Sequence, residues 1–230
     1  MWAPHMAVTA ALWVGIQIAA MPAMAEKSNA PQTSDDGLQL VKQTKGRLIY
    51  KKPGATFNQF KRVSILECGV DFSKSWVKDY NSSQRDLSRK IKDSDLERAK
   101  TYLSSQFKKI FTDELANKGG YQITEQTAPD VLLLRPALVN IQVSAPDLMA
   151  PGRGFTYVQE SGQMTLYLEL WDPSNKTILA RIVDARSSNE SYSQRSNAVT
   201  NKVAADNMLE SWAKELRERL DVVTGKAGKP

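Results

Sequence analysis

The sequence predicts an α+β domain: a mainly antiparallel sheet of about four to six strands with two amphipathic helices packed on one face. Three observations carry this. Leu96, Ala99, Leu103, Phe107, Ile110, Phe111 and Leu115 recur at spacings of three and four, the stripe of an amphipathic helix. Met164, Leu166, Leu168 and Leu170 alternate with Thr165, Tyr167, Glu169 and Trp171, the period of a half-buried strand. Ala205, Leu209, Trp212, Leu216 and Leu220 form a second helical stripe near the carboxyl end.

Taken along the chain, Arg47 to Lys51 is a short strand closed by Pro53-Gly54, and Lys61 to Val70 is a second. Asp71 to Lys92 is polar and basic without clear periodicity and reads as a loop carrying Trp76 and Tyr80. Ser94-Asp95-Leu96-Glu97 has the form of a capping box opening the first helix, and Gly119-Gly120 closes it. Tyr121 to Thr124 and Asp130 to Val143 read as strands. A Pro/Gly-rich connection, Ala145 to Gly154, then leads to a hairpin.

The hairpin's first strand ends at the turn Asp172-Pro173-Ser174-Asn175-Lys176, and its second runs from Thr177 to Arg186 with Ile178, Ala180 and Ile182 alternating. Pairing Leu170 with Ile178 and Leu168 with Ala180 keeps one face apolar. That register sets Tyr167 opposite Arg181 and Glu169 diagonal to it, a cross-strand ion pair. Ser187 to Ala198, rich in Ser and Asn, reads as an exposed loop, and the last helix runs from about Thr200 to Val222.

The amino terminus reads differently. Ala7 to Ala20 is apolar, no Lys, Arg, Asp or Glu precedes Glu26, and Pro22 is followed by Ala23-Met24-Ala25. This is a signal peptide pattern over residues 1–25, cleaved after Ala25, although the positive residues usual ahead of the apolar segment are missing and translation from Met6 is an alternative start. The stretch is too short for a bilayer span and contains Gln17, which argues against a retained anchor and leaves no transmembrane segment after cleavage. No cysteine stands at the boundary to accept a lipid. The expected organisation is therefore the signal, a flexible leader over 26–36, a single α+β domain over 37–224 and a disordered tail over 225–230. Its expected location is periplasmic or secreted.

Composition narrows the chemistry. Residues 42–92 hold 13 Lys and Arg against 4 Asp and Glu, whereas residues 93–230 hold 17 against 18. The concentrated positive charge suggests an anionic partner, either lipid or polysaccharide, or an envelope protein; outside the cytoplasm nucleic acid is not expected. The bland alternative is a solvated face. His5, the sole histidine, falls in the signal, so histidine-based catalysis and histidine metal sites are excluded from the mature protein, and neither a metal nor a cofactor is expected. Cys68 lies in an apolar run and reads as a buried thiol rather than a reactive one.

Several stretches resemble a bacterial family of exported proteins and predicted lipoproteins, domain-of-unknown-function family 3313. They are Tyr50-Lys51-Lys52-Pro53-Gly54-Ala55, Ala128 through Ala137 (Ala-Pro-Asp-Val-Leu-Leu-Leu-Arg-Pro-Ala), Met164 through Asp172 (Met-Thr-Leu-Tyr-Leu-Glu-Leu-Trp-Asp), and Asn197 with Val199-Thr200-Asn201. The resemblance implies an envelope protein with no assigned activity, and there is no catalytic set to carry over. The missing boundary cysteine departs from the family's lipoprotein members.

Enzyme signals are weak. Ser-x-x-Lys occurs at Ser75/Lys78, Ser105/Lys108 and Ser211/Lys214 without accompanying motifs. Gly152-Arg153-Gly154 lacks the rest of a phosphate loop. Glu169, Asp172 and Asp184 are the carboxylates a soluble periplasmic hydrolase would use, which is the alternative to a binding role. The favoured candidate is a binding patch of Trp76, Tyr80, Arg153, Phe155 and Tyr157, aromatic side chains beside cations; against it stands a purely structural role covering the sheet.

Overall fold

The computed structural model describes residues 30–143, 156–196 and 198–226, with the side chains of 156–161, 188–196 and 198–201 set aside. Residues 1–25, the expected signal, therefore lie outside it. Strands β1 (Gln39–Thr44), β2 (Arg47–Lys51), β3 (Arg62–Ile65) and β4 (Gly69–Phe72) are followed by helix α1 (Lys74–Ser83) and the long helix α2 (Asp93–Asp113). Then come β5 (Gln122–Ile123), β6 (Val131–Gln142), β7 (Thr156–Asp172), β8 (Thr177–Ser196) and helix α3 (Ala198–Val223).

All eight strands form one sheet in the order β1-β2-β8-β7-β6-β3-β5, with β4 also beside β6. The α+β class holds, but with more strands and one more helix than the four to six strands and two helices expected. The sheet is also mixed. β1, β2, β8, β7 and β6 pair antiparallel, whereas β3 and β4 run parallel to β6, and β5 parallel to β3. Parallel pairing needs a long crossover, and α1 with α2 supplies it.

The core lies on one face of this sheet. Leu103, Phe107, Phe111 and Leu115 from α2 and the turn after it meet Leu209, Trp212, Leu216 and Leu220 from α3. Both stripes cover Leu132, Leu134, Leu138, Met164, Leu166, Leu168 and Leu170. The two stripes are the ones read from spacing. α2 starts earlier than expected, however: Lys92 is the cap residue, and its N–H donates to the Asp95 carboxylate at 2.9 Å. At the other end a π-turn over Glu114–Lys118 precedes Gly120, whose φ of 61° reverses the chain so that the Tyr121 N–H can cap the Leu115 carbonyl at 2.9 Å.

Several expectations need correction. The strand expected over Lys61 to Val70 is two strands broken at 66–68. The Leu134 carbonyl accepts from the Leu66 N–H, so by the two-residue alternation Pro136 faces the same neighbour and has no N–H to offer. Pairing resumes at Gly69 and Ala137. The expected loop over 71–92 contains α1, capped by the Ser73 hydroxyl accepting from the Trp76 N–H at 3.4 Å.

The hairpin register is shifted by two residues. Leu170 pairs with Ala180, Leu168 with Ile182 and Glu169 directly with Arg181, because Asp172 joins the strand and pairs with Thr177 and Leu179 is bulged out between the Trp171–Ile178 and Leu170–Ala180 pairs. From Ala180 onward the two-residue slip leaves each side chain on its expected face, so alternation cannot detect it, whereas before the bulge Ile178 pairs with Trp171 and Leu179 takes the place in the core. Ser187 to Ser196, expected as a loop, continues β8 and pairs with β7 from Thr156 to Gln163. The Ser/Asn-rich sequence there has no apolar alternation.

Side-chain contacts extend to both ends of the described residues. Within the leader expected to be flexible, the Pro31 carbonyl accepts from the Tyr50 hydroxyl at 3.2 Å and Asp36 pairs with Arg181. Leu38, just after it, is buried. In the tail expected to be disordered, the Lys226 ammonium donates to the Gly119 and Gly120 carbonyls and lies 3.5 Å from the centre of the Tyr121 ring.

Candidate functional site

Of the five patch residues expected from sequence, the structure brings two together. Trp76 and Tyr80 occupy one face of α1 a turn apart, and with Phe72 from β4 they make a ladder with ring centres 6.1 and 6.2 Å apart. Phe72 is buried, while Trp76 and Tyr80 are half-buried. A shallow hollow of about 320 Å³ lies over them, lined by Ser75, Trp76, Asp79, Tyr80, Ser83 and Gln142. The end of β6 is held here, since the Ile141 carbonyl accepts from the Ser73 N–H at 3.0 Å. Arg153 and Phe155 lie outside the described residues. Tyr157 is on β7, paired through its backbone with Arg195, and its side chain is outside the description as well.

The basic stretch does not make one face. Lys42, Lys45, Arg47, Lys51 and Lys52 belong to the β1-β2 edge of the sheet, whereas α1 follows β4, on the far side of β6. Arg47 is committed to Asp184 and Glu215, and Arg62 to Asp130. Around α1 the balance is different. Lys74, Lys78 and Arg85 are exposed, and none makes an ion pair with an acidic side chain among the described residues.

Sequence reasoning missed that α1 exists and that residues 82–92 lead from its last turn to α2. The signal was present. Phe72, Trp76 and Tyr80 stand four apart, and Ser73 three before Trp76 is an N-cap pattern.

The hydrolase carboxylates do not converge. Glu169 sits on the sheet face opposite the core helices, buried, and accepts from the Tyr167 hydroxyl at 2.8 Å, the Trp171 indole at 3.0 Å and the Arg181 guanidinium at 2.9 Å. Burial alone would raise its pKa, but bonds from Tyr167, Arg181 and Trp171 outweigh it and hold the group below the ordinary glutamate range. Asp184 points to the other face, beneath Trp212 of α3. Asp172 binds the turn, accepting from the Ser174 N–H and the Asn175 amide. Each carboxylate is saturated by structural partners.

The Ser-x-x-Lys pairs are equally unproductive. Ser105 Oγ donates to the Tyr102 carbonyl, Ser211 Oγ accepts from Arg186, and Ser75 Oγ bonds Ser73. Among the described residues, no group of three or more His, Cys, Asp or Glu side chains could hold a metal ion. No helix among them is long and apolar enough to cross a membrane.

Cys68 is buried beside Gly69, whose carbonyl its thiol approaches at 3.4 Å, and burial pushes the thiol pKa up to about 12. Thiolate is the reacting form, so the native protein at pH 8 should label with an aromatic disulfide reagent far more slowly than in urea. Equal rates in the two states would place the thiol at the surface.

Three solved structures are similar in part. PelC of Paraburkholderia phytofirmans, a dodecamer, shows 12% identity over 72% of this chain and 96% of that one, with a TM-score of 0.36. A Xanthomonas campestris protein assigned to DUF330 shows 12% identity over 76% and 91%, with a TM-score of 0.40. A minor lipoprotein of Acinetobacter baumannii shows 12% over 74% and 98%, with a TM-score of 0.30. At these scores no ligand or assembly is transferred from them. No curated protein matches this chain. A family model, by contrast, matches residues 30–216, the region that holds the sheet, α1, α2, most of α3 and the motifs on which the resemblance rested, and the chain belongs to DUF3313, a family of proteins of unknown function.

Proposed function

We propose that this chain is an exported protein of the cell envelope, a single domain over 37–224 after signal cleavage, that binds an anionic envelope component through the exposed cations of α1 and of the loop that follows it. The observation that carries this reading is that Lys74, Lys78 and Arg85 are exposed cations without acidic partners among the described residues, the two lysines lying on the side of α1 opposite the half-buried Trp76-Tyr80 pair. Aromatic rings offer contact area at low entropic cost, and unpaired cations attract phosphate or carboxylate groups. The role is binding rather than turnover. The dispersed, saturated carboxylates Glu169, Asp172 and Asp184 support that half of the reading.

The test is retention on isolated envelope membranes. Lys74→Glu with Lys78→Glu, which leave the core untouched, should release the folded protein, with the loss growing as salt is lowered. Trp76→Ala, on the opposite side of the helix, should weaken retention less. Unchanged retention of the charge-reversed protein would overturn the proposal.

A further inference from the structure

We propose that the loop 82–92 at the end of α1 is a membrane-surface contact. Leu87 enters the interface of an anionic bilayer while Arg85, Arg89, Lys90 and Lys92 engage lipid phosphates. This rests on the reading above, and it identifies the anionic component as a phospholipid surface.

The loop is a built excursion. Its base is closed by one side chain: the Asn81 amide donates to the Ile91 carbonyl at 3.0 Å and accepts from the Ile91 N–H at 2.7 Å, as a neighbouring strand would. Ile91 is buried, which anchors the return of the chain. The tip is fixed too. Asp86 caps a single 3-10 turn, Leu87–Arg89, by accepting from the Ser88 N–H at 2.9 Å and its hydroxyl at 2.7 Å. A loop whose ends meet and whose tip is hydrogen-bonded holds its outermost side chain in place.

That side chain is Leu87, 73% exposed, more than any other large hydrophobic among the described residues. A single exposed leucine means little by itself. Here it is flanked by cations on both sides, four in the segment 82–92 against one acid, Asp86, which already serves Ser88 and lies 3.8 Å from Arg89. Apolar insertion combined with basic residues at headgroup level is the pairing that holds peripheral segments on anionic membranes. A free phosphate or a polysaccharide gives Leu87 nothing to do. A protein partner would favour Trp, Tyr or Arg over Leu as an anchor.

The experiment is sedimentation of the full mature chain with phosphatidylcholine vesicles, with and without phosphatidylglycerol. Binding is expected only to the anionic vesicles. Leu87→Ser should lower the partition coefficient by about tenfold. Arg89→Ala with Lys90→Ala should lower it by about twentyfold or more. Both variants should keep the parent's circular dichroism and melting temperature, because Leu87 and Arg89 are exposed and none of the three side chains belongs to the core. Inorganic phosphate at constant ionic strength should not compete.

Equal binding by Leu87→Ser, or full competition by phosphate, would overturn the insertion while leaving an anion-binding role intact. Failure of the parent to bind anionic vesicles, with retention on envelope membranes preserved, would overturn the lipid assignment in favour of a protein or polysaccharide partner. Failure in both assays would remove the proposed function itself.

Discussion

Asp184→Ala is expected to cost about 3–5 kcal/mol of unfolding free energy, enough to unfold a large share of a marginally stable domain at 37 °C. Asp184 is 4% exposed and accepts from Arg47 of β2 at 2.6 Å, from Arg186 of β8 at 2.9 Å and from the Trp212 indole of α3 at 2.7 Å. Glu215 of α3 bonds both arginines, at 2.8 and 2.7 Å. The network therefore ties the β2 side of the sheet to the last helix. Removing Asp184 leaves two guanidinium groups sharing one carboxylate and orphans the buried indole N–H. Urea denaturation is the measurement, and a loss below about 1 kcal/mol, the worth of a surface pair, would show that the network is not desolvated.

The same network sets the response to acid. Burial alone would raise the pKa of Asp184 and of Glu215, but the arginine bonds outweigh it and the net direction for both is down. A carboxylate with a folded pKa below its unfolded value stabilises fully above the unfolded value, about 4, and loses that contribution as pH falls through the folded value. Glu169 and Glu114 shift the same way. The protein should hold constant stability from pH 7 to about pH 5 and lose it below about pH 4. In Asp184→Ala that acid-dependent loss should be smaller.

How much of this was legible in the sequence differs from element to element. The faces of β7, α2 and α3 follow directly from periodicity, because Leu168, Phe107 and Leu209 have no stable place except the core. What periodicity cannot carry is relative placement. The Glu169–Arg181 pair was visible in composition, yet its register depended on a bulge at Leu179 that alternation does not encode. Nor does the split between β3 and β4 show in their own residues. It arises from Pro136, a residue 70 positions away that removes one donor from the neighbouring strand.

The candidate site shows the same division. Trp76, Tyr80 and the neighbouring cations were identifiable as residue types, but the helix that sets the aromatic pair and the lysines on opposite sides is short and mostly polar, with Phe72 supplying its apolar anchor from the preceding strand. Leu87 was invisible as a feature because exposure is a tertiary property. Its position depends on the Asn81–Ile91 clasp, which no local pattern announces.

The second large effect is expected in the helix–sheet core. Phe107→Ala should cost about 3–5 kcal/mol, with Phe107→Leu costing about 1.5 kcal/mol or less, since leucine refills much of the space. Phe107 and Phe111 are both fully buried, their rings stacked with centres 3.8 Å apart and planes 16° from parallel. They sit one turn apart on α2, where α3 and β4 close around the helix. Truncating Phe107 removes one partner of that stack and leaves a void beside Phe111, and rigid strands on one side and α3 on the other allow little collapse into it. Urea titration should show a lower midpoint with an unchanged slope, the mark of lost stability without a change in the unfolded chain. A Phe107→Ala variant within about 1 kcal/mol of the parent would mean that α2 is held by its polar contacts, Tyr102 with Asp206 and Glu114 with Arg217, rather than by its apolar stripe.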